Sequence, residues 1–250
     1  MINMRLSLLF MLFASIAFAQ LKPTLPPSSN FDLSAWKLQT LDSNNKFTEA
    51  SPAQLSKGYQ SQYFYTDAAD GSMVLKTPAN GEATSSATHP RVELRQISNG
   101  ANWKLIDTVL HSLTAQCKVM KTAPDTPKIV IGQIHGSEKV SQLLKLTWVG
   151  NKSGKCFVQA NFKNNNAVKK DYTLKVVENL SLGDEVHYNI IMKNGTITVT
   201  VNGKSCSHTY TEEYFGTADK YYFKAGNYLQ FRGVDADVYG LVKFYKLQIG

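Results

Sequence analysis

Tyr188-Asn-Ile-Ile-Met-Lys-Asn-Gly-Thr-Ile-Thr-Val-Thr-Val201 reads as two β-rich arms around Asn194-Gly195. Asn-Gly between such arms is the strongest short hairpin signal, because a two-residue type I′ turn needs two residues that accept positive φ. After the turn Thr196, Thr198 and Thr200 fall on one face and Ile197, Val199 and Val201 on the other. A second Asn-Gly at 202–203 turns the chain again.

Working outward, residues 31–38, 63–65, 73–76, 109–120, 128–135, 143–149, 156–163 and 241–249 read as further strands, and helical periodicity is almost absent. A short helix is expected around 51–55. Residues 77–90 are rich in Pro, Gly, Ser, Thr and Ala and read as a loop, either a plain connector or a lid. More than ten short strands with close turns, no repeat and no βαβ alternation predict an all-β fold: a two-sheet antiparallel sandwich of jelly-roll type. No second composition regime appears, so 31–250 is read as one domain.

Residues 1–19 do not count towards that fold. One basic residue, Arg5, precedes an apolar run to Phe18, and Ala17-Phe18-Ala19 is a small-x-small cleavage signal before Gln20, as in a secretory signal peptide. Residues 20–30, with three prolines, read as a linker or arm. No later stretch is long and apolar enough to cross a membrane, so an exported chain, extracellular or periplasmic, is expected. Loss of the leader lowers the formal charge from +8 to +7. A basic exported domain points to a polyanion. No nucleic-acid motif is present, so an acidic polysaccharide is the expected partner and a monomer the expected state. Cys117, Cys156 and Cys206 permit one disulfide and one free thiol, with the pairing open. Their spacing fits no zinc motif, and neither metal nor cofactor is expected.

Three stretches carry the chemistry. In Tyr-Phe-Lys-Ala-Gly-Asn-Tyr-Leu-Gln-Phe-Arg, 222–232, one face holds Tyr222, Lys224, Gly226, Tyr228, Gln230 and Arg232, and the other is mostly apolar. Gly226 leaves room for something to lie against the backbone. In His-Pro-Arg-Val-Glu-Leu-Arg, 89–95, Arg91, Glu93 and Arg95 share a face while Val92 and Leu94 point to the core. Gln133 and His135 flank Ile134 in the same way. Singly, each is an ordinary half-buried strand, and Arg-x-Glu-x-Arg a surface ion-pair ladder. Side by side in a concave sheet they would line a cationic groove with acid–base groups. Glycoside hydrolysis usually needs two carboxylates about 5–9.5 Å apart. Glu93 stands between two arginines, which favour its charged form and make it a poor proton donor.

Arg-x-Glu-Leu-Arg, Gln-Ile-His and Tyr-Phe-Lys-Ala-Gly-x-Tyr-x-Gln, in this order, resemble the signature motifs of the alginate lyases of polysaccharide lyase family 7. Phe-Asp-Leu-Ser-Ala-Trp-Lys-Leu at 31–38 and Phe-Tyr-Lys-Leu-Gln-Ile at 244–249 extend the similarity across the mature chain. Val92 departs from the Ser or Thr more usual there, on a side chain expected to face the core. The resemblance implies a jelly roll that cleaves a 1,4-linked uronan by β-elimination. It implies that Arg91 and Gln133, helped by His135, clamp the uronate carboxylate, and that Tyr228 protonates the departing O4. It also implies Tyr228 as base for a C5 proton on the leaving-group side and His135 for the opposite epimer. Reference pKa values are about 6.5 for His and about 10 for Tyr, so a tyrosine base needs nearby positive charge. Arg95, Lys224 and Gln230 are assigned to substrate binding, with an Arg95–Glu93 ion pair as the alternative for Arg95. Ile134 resembles members that accept guluronate-containing blocks. A non-catalytic acidic-polysaccharide-binding module, or a lyase for another polyuronate such as glucuronan, are the competing functions; the first would need no aligned base and acid.

Overall fold

A computed structural model describes residues 20–85, 87–124, 127–136, 142–151, 154–164, 171–211 and 220–250. The expected leader, 1–19, lies outside them. In chain order the first strands are β1 (Trp36–Leu41), β2 (Phe47–Ala50), β3 (Phe64–Thr66), β4 (Met73–Pro78) and β5 (Arg91–Gln96). Then come β6 (His111–Lys121), β7 (Lys128–Gly136), β8 (Leu144–Val149), β9 (Cys156–Phe162) and β10 (Tyr172–Leu180). The last are β11 (Glu185–Lys193), β12 (Thr196–Val201), β13 (Lys204–Thr209), β14 (Tyr221–Leu229) and β15 (Tyr239–Ile249). They form two antiparallel sheets, β10-β9-β8-β7-β14-β5-β1-β2 and β13-β12-β11-β6-β15-β4-β3. This is the sandwich expected from the pattern.

Local chemistry explains the turns. Asn194 and Gly195 have φ of 47° and 73°, and Lys193 pairs with Thr196. Asn202 and Gly203 repeat the geometry between β12 and β13. Both satisfy the type I′ requirement. Ile197, Val199 and Val201 are fully buried while Thr196, Thr198 and Thr200 stay half-exposed. The short helix is Pro52–Ser56, held by a reciprocal capping box between Ser51 and Gln54.

Between the sheets lie Val92, Leu94, Ile134, Phe223, Ala225 and Leu229 of the first, with Leu75, Leu113, Ile190 and Phe244 of the second. Each such large side chain contributes about 1.5–3 kcal/mol by leaving water. Residues 20–30 are not a detached tether. They end in a one-turn helix, Pro27–Asn30, and Asn30 bonds the Lys22 amide and the Gly71 carbonyl at 2.8 and 3.2 Å. The permitted disulfide does not form: Cys117 and Cys156 are buried free thiols on different sheets, and Cys206 is a half-buried one on β13.

Candidate active site

β14 lies between β7 and β5, so the three chemically loaded stretches are neighbours. Tyr228 pairs with Arg91 and Lys224 with Arg95 on one side. Tyr222 pairs with His135 and Lys224 with Gln133 on the other. The alternation that sends Val92, Leu94, Ile134 and Phe223 into the core therefore places Arg91, Glu93, Arg95, Gln133, His135, Tyr222, Lys224 and Tyr228 together on the opposite face. Gly226 serves this closeness differently from the expectation. A Cβ there would lie 2.7 Å from Glu93 Cα and 2.7 Å from Val92 O, so what lies against its backbone is strand β5.

Glu93 is the hub of the face. Its carboxylate is wholly buried, with Lys224 Nζ at 2.6 Å and Arg91 Nη1 at 3.4 Å, and Gln133 Nε2 donates to its other oxygen. Burial pushes Glu93 towards the neutral acid, but Lys224, Arg91 and the hydrogen bonds outweigh it and hold its pKa below the usual carboxylate value. Lys224, 2% exposed, spends its ammonium on this carboxylate; burial lowers its pKa against the pull of Glu93. Arg95 is absent from the Glu93 cluster. Its guanidinium lies over the Tyr222 ring, 4.3 Å from the centroid. Among the described residues, Arg91 Nε and Arg95 Nε are buried donors without a hydrogen-bond acceptor.

His135 is fixed through Nδ1, which lies 2.7 Å from the Gly136 carbonyl and 3.0 Å from the Tyr222 hydroxyl. A carbonyl can only accept, so Nδ1 carries the proton and Nε2 keeps the lone pair. The Tyr222 ring also stacks on the imidazole, with centroids 5.4 Å apart. Burial first, and the charge of Lys224 second, lower the His135 pKa to about 4, against the opposing bond to Gly136. The imidazole is neutral in the ordinary working range.

Tyr228 is 8% exposed, with the Arg91 guanidinium 3.9 Å from its ring centroid. Gln230 follows the end of β14 and donates through Nε2 to the Tyr228 carbonyl at 3.3 Å. Two neighbours went unread in the sequence. His89 meets the Tyr228 ring edge-on at 6.3 Å; it lies in the stretch read as a loop from 77, although Thr77 and Pro78 belong to β4. Lys145 on β8 stands opposite Gln133 and Asn161, and no carboxylate among the described residues lies within ion-pair distance of it. The parity of Leu144-Lys145-Leu146 carries that signal. Ile134 is buried in the core, as expected.

A family model described as alginate lyase matches residues 31–250. Among solved structures, alginate lyase A1-II′, a member of polysaccharide lyase family-7, is 34% identical over 90% of this chain and 97% of its own, with a TM-score of 0.77. A histidine–tyrosine double variant of it, in complex with a substrate (GGMG), gives 33% identity over 91% and 97% of the chains and a TM-score of 0.78. Alginate lyase PA1167 from Pseudomonas aeruginosa is 26% identical over 88% and 99%, with a TM-score of 0.78. No match was found among curated proteins. With its family model spanning every strand and the motif strands side by side, the chain belongs to the alginate lyases of polysaccharide lyase family 7.

Proposed function

We propose that the chain cleaves alginate by β-elimination, with Tyr228 and His135 as proton carriers and Arg91 and Gln133 as the carboxylate clamp. The C5 proton of a uronate is weakly acidic because its carboxylate is already negative. Removing it requires donors aimed at the charge that develops on that group. Arg91 Nε is a buried donor that lacks an acceptor, and Gln133 commits one amide N–H to Glu93 and keeps the second. Arg95, with its own unmet Nε, binds a flanking part of the polymer. Lys224 acts through Glu93 and through its field, and Gln230 borders the groove beside Tyr228.

The base takes the C5 proton, the electron pair becomes the C4–C5 double bond, and the C4–O4 bond breaks. The Tyr228 hydroxyl protonates the departing O4. Where the C5 proton lies on the leaving-group side, Tyr228 also serves as base, with the Arg91 guanidinium holding its ring by a cation–π contact. For the opposite epimer the lone pair at His135 Nε2 is the base.

The observation that carries this reading is that one face of the sheet holds both His135, with Nδ1 bound to Gly136 O and the Nε2 lone pair left over, and the Tyr228 phenol capped by the Arg91 guanidinium. A binding module has no use for such an arrangement. We further read the mature protein as an exported single-domain monomer acting on a soluble acidic polysaccharide, with no nucleic-acid or membrane partner. Alginate mixed with the protein is expected to gain the ultraviolet absorbance of unsaturated uronate ends. Tyr228→Phe is expected to abolish that gain while melting and oligosaccharide binding stay as in the native protein. Binding without any absorbance change in the native protein would favour the module instead.

A further inference from the structure

Behind Tyr228 the core contains a polar cluster that packing alone does not call for. β14 carries one more residue than β7 between the rungs Ala225–Gly132 and Tyr228–Val130, which makes a bulge just before the phenol. At this point the second sheet reaches across. The Thr77 hydroxyl on β4 donates to the Asn227 carbonyl at 2.9 Å and accepts from the Val92 amide at 3.0 Å. It thus bridges the rung Asn227–Val92, next to the rung Tyr228–Arg91. The Asn227 side chain returns the contact, donating through Nδ2 to the Leu75 carbonyl at 3.0 Å. Thr77 and Asn227 are both wholly buried. Gly240 on β15 makes space for the amide, since a Cβ there would lie 2.9 Å from Asn227 Oδ1.

Buried polar groups cost free energy unless bonded, and here Asn227 Oδ1 has no partner among the described residues, so the cluster is not an optimum for stability alone. The two backbone attachments of the Thr77 hydroxyl are to the residue after Arg91 and the residue before Tyr228. We propose that Thr77 and Asn227 are positioning residues that lock the bulge and so hold the Tyr228 phenol under the Arg91 guanidinium. This rests on the role given to Tyr228 above.

The test compares Thr77→Val, Thr77→Ser, Gly240→Ala and Tyr228→Phe in the full chain, with steady-state rates on alginate and calorimetric binding of an alginate tetrasaccharide. Thr77→Val is expected to lower kcat roughly tenfold to a hundredfold, the size of effect a displacement of about 1 Å produces. KM and tetrasaccharide affinity should stay within about twofold, and Thr77→Ser should recover most of the rate, because such an effect lies in transition-state geometry alone. Gly240→Ala, which pushes on the Asn227 amide from the far sheet, should give the same kcat-selective loss and serves if Thr77→Val does not fold. A folded Thr77→Val or Gly240→Ala enzyme with the native kcat overturns the clamp, as does a parallel fall in kcat and affinity. Tyr228→Phe separates the two levels. If it keeps its rate, the role of the phenol fails and the clamp with it. If it is inactive while folded Thr77→Val is fully active, only the clamp fails.

Discussion

Lys224 Nζ lies 2.6 Å from Glu93 Oε2, and both groups are withdrawn from solvent. An ammonium in that position holds the hub to which Arg91 and Gln133 are also tied. Removing one partner of a buried pair leaves a charge in low dielectric, which costs about 3–5 kcal/mol. Lys224→Met is therefore expected to be destabilised by about 3 kcal/mol in urea titration, since Arg91 still compensates part of the charge. Lys224→Met combined with Glu93→Gln should recover at least half of the loss. Native stability in Lys224→Met with loss of activity would instead make the ammonium a direct substrate contact.

The Arg91 guanidinium serves the Tyr228 ring on its face and Glu93 through Nη1. A lysine keeps the charge but has neither the planar face nor the fork of donors. Arg91→Lys should melt near the native temperature and lose about 10²-fold or more in kcat/KM, as when one preorganised donor is removed. A rate within threefold of the native enzyme would show that charge alone suffices.

The sequence announces faces better than neighbours. Strict alternation in Arg91-Val92-Glu93-Leu94-Arg95 and Gln133-Ile134-His135 is a local property of an extended chain, and the core accepts Val92, Leu94 and Ile134 as that pattern demands. That β14 lies between β7 and β5 depends on pairing over about a hundred residues, which no local pattern encodes. Burial is equally non-local. Lys224 reads as a solvent-facing amine because its strand alternates, yet strands on both sides and Glu93 beside it on the same face enclose it. The edge strands β10 and β13 escaped for another reason. β10 is interrupted by register shifts at Lys175–Val177 and Val177–Leu180, and β13 has little apolar content to alternate.

Gly226 adopts φ of 156°, and a Cβ there would be 2.7 Å from two backbone atoms of β5. Backbone cannot give way as a flexible side chain can. Gly226→Ala is expected to cost about 3 kcal/mol, roughly 6–12 °C in melting temperature, through strain and displacement of β5. Activity should fall with it, because Glu93 moves. A native melting curve would mean that the bulge relaxes around the methyl group.

His135 links stability and rate to pH with a definite sign. Its folded pKa is lowered to about 4, from about 6.5 in an unfolded chain. Between those values the unfolded state binds a proton that the folded state refuses, so this group makes stability fall as pH falls from about 6.5 to about 4, and adds no further slope below. The same shift keeps the Nε2 lone pair free well below neutrality. On a linkage whose C5 proton lies opposite the leaving group, the acid limb of kcat/KM should sit near pH 4, the His135 value, well below the ordinary histidine range. His135→Asn should abolish turnover of that linkage and flatten the stability slope in the same window, leaving oligosaccharide binding in place. Rate profiles on homopolymeric blocks and urea midpoints from pH 4 to 7, for both proteins, measure the two effects. A native limb centred near 6.5 would mean that the imidazole is solvated in the working enzyme, and its assignment as a poised neutral base would have to be withdrawn.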